Sequence, residues 1–239
     1  MSEIGLDDRV LVSPRYMAGA GDRIADVLGP LVRLFDWQHR QDAATGRVQV
    51  DSPDGSLFVD FAPMQRSGMW CTVSHHEPYW QAAFSRQAPL EAVAAVAQAL
   101  PQLLGDTRHI EQIPLTDQPL EKLAALHGWT VEGTVITSPD WYCQLARTPQ
   151  DDHAITWRVH HAFFEDQPLA TFTCDVPERL VGNFFTHLAS TAPVERAVAD
   201  VPIHTRYGHS DLMTPVRHAV INPHTDHALA QLTRAMKRR

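Results

Sequence analysis

One set of turn and aromatic residues occurs twice in this chain, in the same order and about 87 residues apart. That duplication constrains the fold more than any other feature. Ser52-Pro53-Asp54 returns as Ser138-Pro139-Asp140, a shift of 86. Trp70, Val73 and His75 resemble Trp157, Val159 and His161 at a shift near 87. Phe84 and Pro89 return as Phe172 and Pro177 at a shift of 88, and Glu91 returns as Glu178. Upstream, Phe35-Asp36-Trp37 stands where His127-Gly128-Trp129 stands in the second copy. Self-similarity at one period marks a repeated structural unit, which cannot bury its apolar face alone.

Periodicity then gives the unit its elements. Val48 and Val50 alternate with polar neighbours, as do Leu57, Val59 and Phe61, then Met69, Cys71 and Val73, then Trp80, Ala82 and Phe84. A period of two predicts four half-buried strands. Ser52-Pro53-Asp54-Gly55 is turn chemistry, and the short connections favour antiparallel pairing. Pro89 opens the Ala- and Leu-rich run PLEAVAAVAQALPQLL, a helix. The second copy predicts strands near 133–137, 141–147, 154–160 and 168–174, then a helix capped by Asp175 with Glu178 three places on. Helical lead-ins occupy 22–35, where Gly29-Pro30 should break or kink the helix, and the stretch from Pro119 that Gly128 would stop. The expected fold is therefore α+β, a tandem pseudo-repeat of a four-stranded antiparallel sheet plus helix (β-β-β-β-α twice). Its expected parts are a lead-in over 1–35, repeats over 36–105 and 128–190, a linker helix over 106–127, and a His- and Pro-rich segment over 191–239 that ends in a basic helix. The two units would pack helix to helix or sheet edge to sheet edge as a pseudo-twofold body.

The opening VLVSPRYMAGAGD, the Ser-Pro-Asp turns, the Trp-x-x-Val-x-His strand and the Trp-Gln-Ala-Ala-Phe…Pro-x-Glu-x-Val segment together resemble the domain-of-unknown-function family 317 of filamentous actinobacteria, over roughly residues 10–190. Of the 20 basic residues only Lys122 and Lys237 are lysine, in keeping with a GC-rich genome. The resemblance implies duplication and a bacterial intracellular setting, with no chemistry attached. The doubled element order is also similar to Whirly-type and transcriptional-coactivator-type single-stranded-DNA-binding folds, which is an analogy of fold alone.

Composition excludes some partners. Asp and Glu number 28 against 20 Lys and Arg, a net charge of −8, so the chain is no uniformly basic coat for nucleic acid, although one basic face remains compatible with it. Cys71, Cys143 and Cys174 are widely spaced and odd in number, which gives no disulfide framework or zinc knuckle. The acidic opening MSEIGLDDRV is not a secretory signal, and no apolar run approaches the roughly 18 residues of a spanning helix, so the expectation is a reduced, cytoplasmic protein without a membrane partner.

Catalytic and cofactor motifs are weak. Gly19-Ala20-Gly21 precedes a helix, but Ile24 fills the third glycine position of a dinucleotide loop, so a plain turn is the better reading. The 14 histidines include His75-His76, His160-His161 and His224-x-x-His227, none with a completing ligand at metal spacing. No nucleophile elbow, HExxH, P-loop or paired-carboxylate motif occurs. The expectation is a protein with no catalytic residues, no metal and no cofactor.

The outward sheet positions are more informative. If Met69, Cys71 and Val73 face the core, Trp70 faces out, as do Phe58 and Tyr79 near Arg47; the second copy offers Tyr142, Arg158 and His160. Aromatics interleaved with Arg and polar residues suit base stacking and phosphate contact. A register slip of one residue would turn Trp70 inward, and its alignment with Trp157 favours that slip. With the basic tail residues Arg234, Lys237 and Arg238, these positions make DNA or another nucleic acid the expected partner, single- or double-stranded. The alternative is an interaction or scaffold module whose sheet faces meet protein. Uncovered edges and aromatics also predict a homodimer or larger symmetric oligomer.

Overall fold

A computed structural model describes residues 5–65, 68–113, 115–148, 155–162 and 167–216. The chain forms β1 (Arg9–Val12), a 3-10 turn at Arg15–Met17, α1 (Ile24–Leu34), β2 (Gln38–Gln41), β3 (Val48–Asp51), β4 (Leu57–Phe61), β5 (Met69–His75), β6 (Trp80–Ser85) and α2 (Leu90–Leu103). The second half adds α3 (Leu120–Leu126), β7 (Thr130–Glu132), β8 (Val135–Thr137), β9 (Cys143–Arg147), β10 (Ile155–His161), β11 (Ala170–Thr173) and α4 (Glu178–Leu188), followed by β12 (Val194–Ala197), α5 (Ile203–Gly208) and β13 (Met213–Pro215).

The fold is α+β and both sheets are antiparallel. One has ten strands in the order β2-β3-β4-β5-β6-β11-β10-β9-β8-β7. Each half supplies five strands, and the halves meet at β6 and β11, where Phe84 faces Ala170, Ala83 faces Thr171 and Ala82 faces Phe172. The expectation of four strands per repeat is corrected to five, and the two sheets are one. The extra strands are the edges β2 (QHRQ) and β7 (TVE), whose residues are all exposed, so they carry no apolar alternation to read.

The helices cover one face. Val50, Val59, Val73, Phe84, Leu145, Val159 and Phe172 of the sheet share one buried cluster with Leu31 of α1, Val96 of α2, Leu123 of α3 and Phe184 of α4. At the seam the rings of Phe84, Phe172 and Phe184 lie 5.4–5.9 Å apart. α1 continues through Pro30, so of the break or kink that the sequence predicts the break does not occur. A proline frees the carbonyl four residues back. Here that carbonyl, on Asp26, accepts a hydrogen bond from Gln98 Nε2 at 2.7 Å. The α4 cap is corrected as well: the helix starts after Pro177 with no side-chain cap bond. The basic helix expected near the C-terminus, with His224 and His227, lies outside the described residues.

The second sheet, β12-β1-β13, joins the beginning of the chain to the segment after the repeat. Arg196 of β12 ties it to the helices. Its guanidinium donates to both carboxylate oxygens of Glu91 on α2, at 2.5 and 3.0 Å, and to the carbonyl of Gly19 at 3.2 and 3.3 Å. Gly21 adopts φ +74, and a Cβ there would lie 3.0 Å from Arg196 Cδ and Nε. Gly19-Ala20-Gly21 is thus a turn wrapped on an arginine, in line with the plain-turn reading.

Three details repeat between the halves. The Ser-Pro-Asp turns have one hydrogen-bond network: Ser52 Oγ accepts from Leu57 N–H and donates to Asp54, as Ser138 Oγ accepts from Cys143 N–H and donates to Asp140. Asp36 and Gly128, the centres of the matched tripeptides, both have positive φ, 60 and 72°. Each central strand carries a bulge. Met69 faces Ser85 and Cys71 faces Phe84; Ile155 faces Thr173 and Trp157 faces Phe172. Trp70 and Thr156 are the extra residues.

That bulge corrects the placement of Trp70, which is buried at 4% exposure alongside Cys71 at 1%. An inserted residue breaks the two-residue period and re-aims its side chain. Trp70 therefore turns inward without displacing Cys71 or Val73. Its ring sits 4.8 Å from Phe61 and 4.4 Å from the Arg86 guanidinium.

The turns also differ, because Asp140 accepts the hydroxyl of buried Tyr16 at 2.6 Å. Burial first, and this bond second, push the Tyr16 pKa up. Asp140→Ala is expected to destabilise the protein by about 1–3 kcal/mol more than Asp54→Ala, since it also leaves a buried hydroxyl unpaired. Urea denaturation of the two variants measures the difference, and equal losses would contradict it.

Candidate nucleic-acid interface

The face of the ten-stranded sheet opposite the helices is set by register. One row of outward positions reads Gln49, Asp60, Thr72, Ala83, Thr171, Arg158, Ala146, Val135, Glu132. Beside it run Asp51, Phe58, Ser74 and Gln81, whose N–H donates to Thr173 Oγ1 at 2.8 Å. In the second half His160, Gln144 and Thr137 form the neighbouring row.

Charge is distributed unequally across this face. In the first half Arg47 pairs with Asp60, and Arg40 pairs with Asp51 at 2.7 Å. At the shift of 86, Asp51 and Asp60 become Thr137 and Ala146, while Thr72 and Ser74 become Arg158 and His160. The second half has thus lost two carboxylates and gained a guanidinium and an imidazole. Along its row, Arg158 is three strands from Glu132 and four from Asp60, roughly 14 and 19 Å at ordinary strand spacing. Arg158 is half-buried, and its Nε is buried without a partner among the described residues.

The predicted residues divide accordingly. Arg158 and His160 stand together on β10, beside Gln144. Arg47 and Phe58 lie on the first half of the same face; Phe58 is half-buried, its ring 5.0 Å from His76. Tyr142 is half-buried at the start of β9, its ring 4.4 Å from His209. Tyr79 is exposed in the β5–β6 turn, at the opposite end of the sheet from Tyr142. Trp70 is in the core. Arg234, Lys237 and Arg238 lie outside the described residues.

Sequence reasoning missed Trp141. It is 63% exposed and has φ +68, at the turn position where the first copy has Gly55. The shift of 86 carries that signal. It also missed the buried contact between His161 and His204 of α5, whose rings lie 4.7 Å apart.

Cys71 and Cys143 are fully buried, which pushes both thiols up, Cys71 to about 12. Among the described residues no group of three or more His, Cys, Asp or Glu could hold a metal ion. Adjoining clefts of about 290 and 320 Å³ over α2 share Glu91, Ala94 and Gln98, and Glu91 there is engaged by Arg196. No helix of the described residues is long and apolar enough to cross a membrane.

The family model for the SPDY domain, a domain of unknown function (DUF317), matches residues 51–102 and 137–194. Both matched segments run from the Ser-Pro-Asp turn through the long helix of their half, so the duplication appears in the match as well as in the fold. No curated protein and no solved structure gives a significant match, so no matched structure supports the expected Whirly-type likeness.

Proposed function

We propose that this chain is a non-catalytic nucleic-acid-binding protein that receives its ligand on the helix-free sheet face, at the second half. The observation that carries this reading is Arg158: a guanidinium whose Nε is buried without a partner among the described residues, set among Thr171, Gln144 and His160 and far along its row from any described carboxylate. A guanidinium so placed suits a phosphate, which takes two of its donors at once. The Gln and Thr side chains add hydrogen bonds, and His160 stands beside Gln144 in the next row. One observation favours a protein-interaction module instead. The ion pairs of Arg40 and Arg47 cancel the charge of the first half, where phosphate gains nothing.

Fluorescence-anisotropy titration with labelled single- and double-stranded oligonucleotides at two salt concentrations decides between them. Arg158→Ala should lower affinity and reduce the salt slope by about 0.7–0.9, one phosphate contact. Replacing Arg47 and Asp60 together by alanine should change neither. Absence of binding to both strand forms at low salt rejects the nucleic-acid reading and leaves the interaction module.

A further inference from the structure

The two Ser-Pro-Asp turns have the same hydrogen bonds and the same left-handed fourth position, yet that position is Gly55 in one and Trp141 in the other. Glycine adopts positive φ without steric penalty, whereas a bulky side chain there is a strained outlier. Glycine closes the first turn, so folding does not call for tryptophan in the second. Nor does burial: Trp141 keeps 63% of its surface exposed. A residue that is both strained and uncovered contributes nothing evident to stability, which leaves recognition.

The surroundings indicate what is recognised. Trp141 leads directly into β9, whose outward Gln144 sits beside His160, one position from Arg158 on β10. An exposed, flat apolar ring thus stands in the turn that opens the strand carrying Gln144. On the nucleic-acid reading, on which this inference rests, we infer that Trp141 stacks on an unpaired base while Arg158 holds the backbone, so the ligand is a single strand. In a duplex both faces of each internal base are already stacked, and a ring at the tip of a turn has no base face to meet. An unpaired base offers one whatever its identity.

The test uses the full chain with Trp141→Gly, the residue of the first copy, and Trp141→Asn, a residue that tolerates left-handed backbone. Both should fold with a melting temperature at or above that of the wild type, because strain is relieved. Single-strand affinity should fall about 5- to 150-fold, the range for one lost stacking contact, with the salt slope unchanged. Double-strand affinity should not move. Unchanged single-strand affinity in both variants, alongside a loss in Arg158→Ala, overturns the role of Trp141 and keeps the sheet-face reading. A wild-type chain that binds no oligonucleotide at low salt overturns both. Equal losses for single and double strands would overturn the single-strand assignment.

Discussion

Glu91→Ala is expected to lower the unfolding free energy by about 3 kcal/mol, the low end of the range for breaking a buried ion pair. Arg196 is 6% exposed, so removing its carboxylate leaves a largely buried cation hydrogen-bonded to backbone carbonyls alone among the described residues. The low end applies because the Glu91 side chain keeps 31% of its surface in solvent. The pair joins the small sheet to α2, so the loss should concentrate there, with faster amide exchange in β1 and β12 than in the ten-stranded sheet. Replacing both partners, as Glu91→Leu with Arg196→Met, should recover much of the loss, since an apolar pair leaves no charge stranded. Urea denaturation and hydrogen exchange read these outcomes. A Glu91→Ala variant within about 0.5 kcal/mol of wild type, the range of an ordinary surface change, would show that the small sheet is held by its apolar contacts alone.

Acid should destabilise the protein through His161. This ring is fully buried, and burial first, then the neighbouring His204, hold its pKa down at about 3. In the unfolded chain the same ring titrates near 6.5. Between those values the unfolded state binds a proton that the folded state refuses. The stabilising effect of the neutral ring is therefore complete above pH 6.5 and is lost as pH falls toward 3, at about 1.4 kcal/mol per pH unit. Around the ring lie His204 of α5, His160 of its own strand, Asp140 and the Tyr142 carbonyl. His204, also held down by burial, steepens the same slope. His161→Leu should remove about one proton from the slope, measured as urea midpoints between pH 7.5 and 4.5. A variant as acid-sensitive as the wild type would place the sensitivity elsewhere.

Much of the fold is legible in the chain because it rests on local chemistry. The Ser-Pro-Asp turns, Pro89 before α2 and Gly128 after α3 act within a few residues, and the period of two finds β3–β6 and β8–β11. What escapes is non-local. The bulge at Trp70 is defined by its pairing with β6, and a period counted along one strand cannot see it. The edges β2 and β7 are exposed at every position, and β7 has a single apolar residue, Val131. The alignment of Trp70 with Trp157 pairs residues that are not equivalent, since Cys71 and Trp157 are the ones facing Phe84 and Phe172. At the candidate site, Arg158 and His160 follow from alternation. The neutralisation of Arg47 by Asp60 depends on which residues the β3–β4 register sets side by side. Trp141 was readable from the shift of 86, but its meaning needed the backbone angle.

The seam between β6 and β11 has a consequence for direction. A lone five-stranded half would pair its β6 edge with a twin, and the two faces so joined would be identical. Anything laid across them could run either way with equal affinity. One covalent chain keeps the same seam at a high effective concentration, and each half is then free to change by itself. Here they have changed: acids and cancelled arginines on one side of the seam, Arg158, His160 and Trp141 on the other. A nucleic-acid strand has a 5′ and a 3′ end, and on the reading proposed above it meets a surface that also has two different ends. The duplication thus turns a symmetric platform into one with polarity, and on the proposed reading a strand would take one preferred orientation on it.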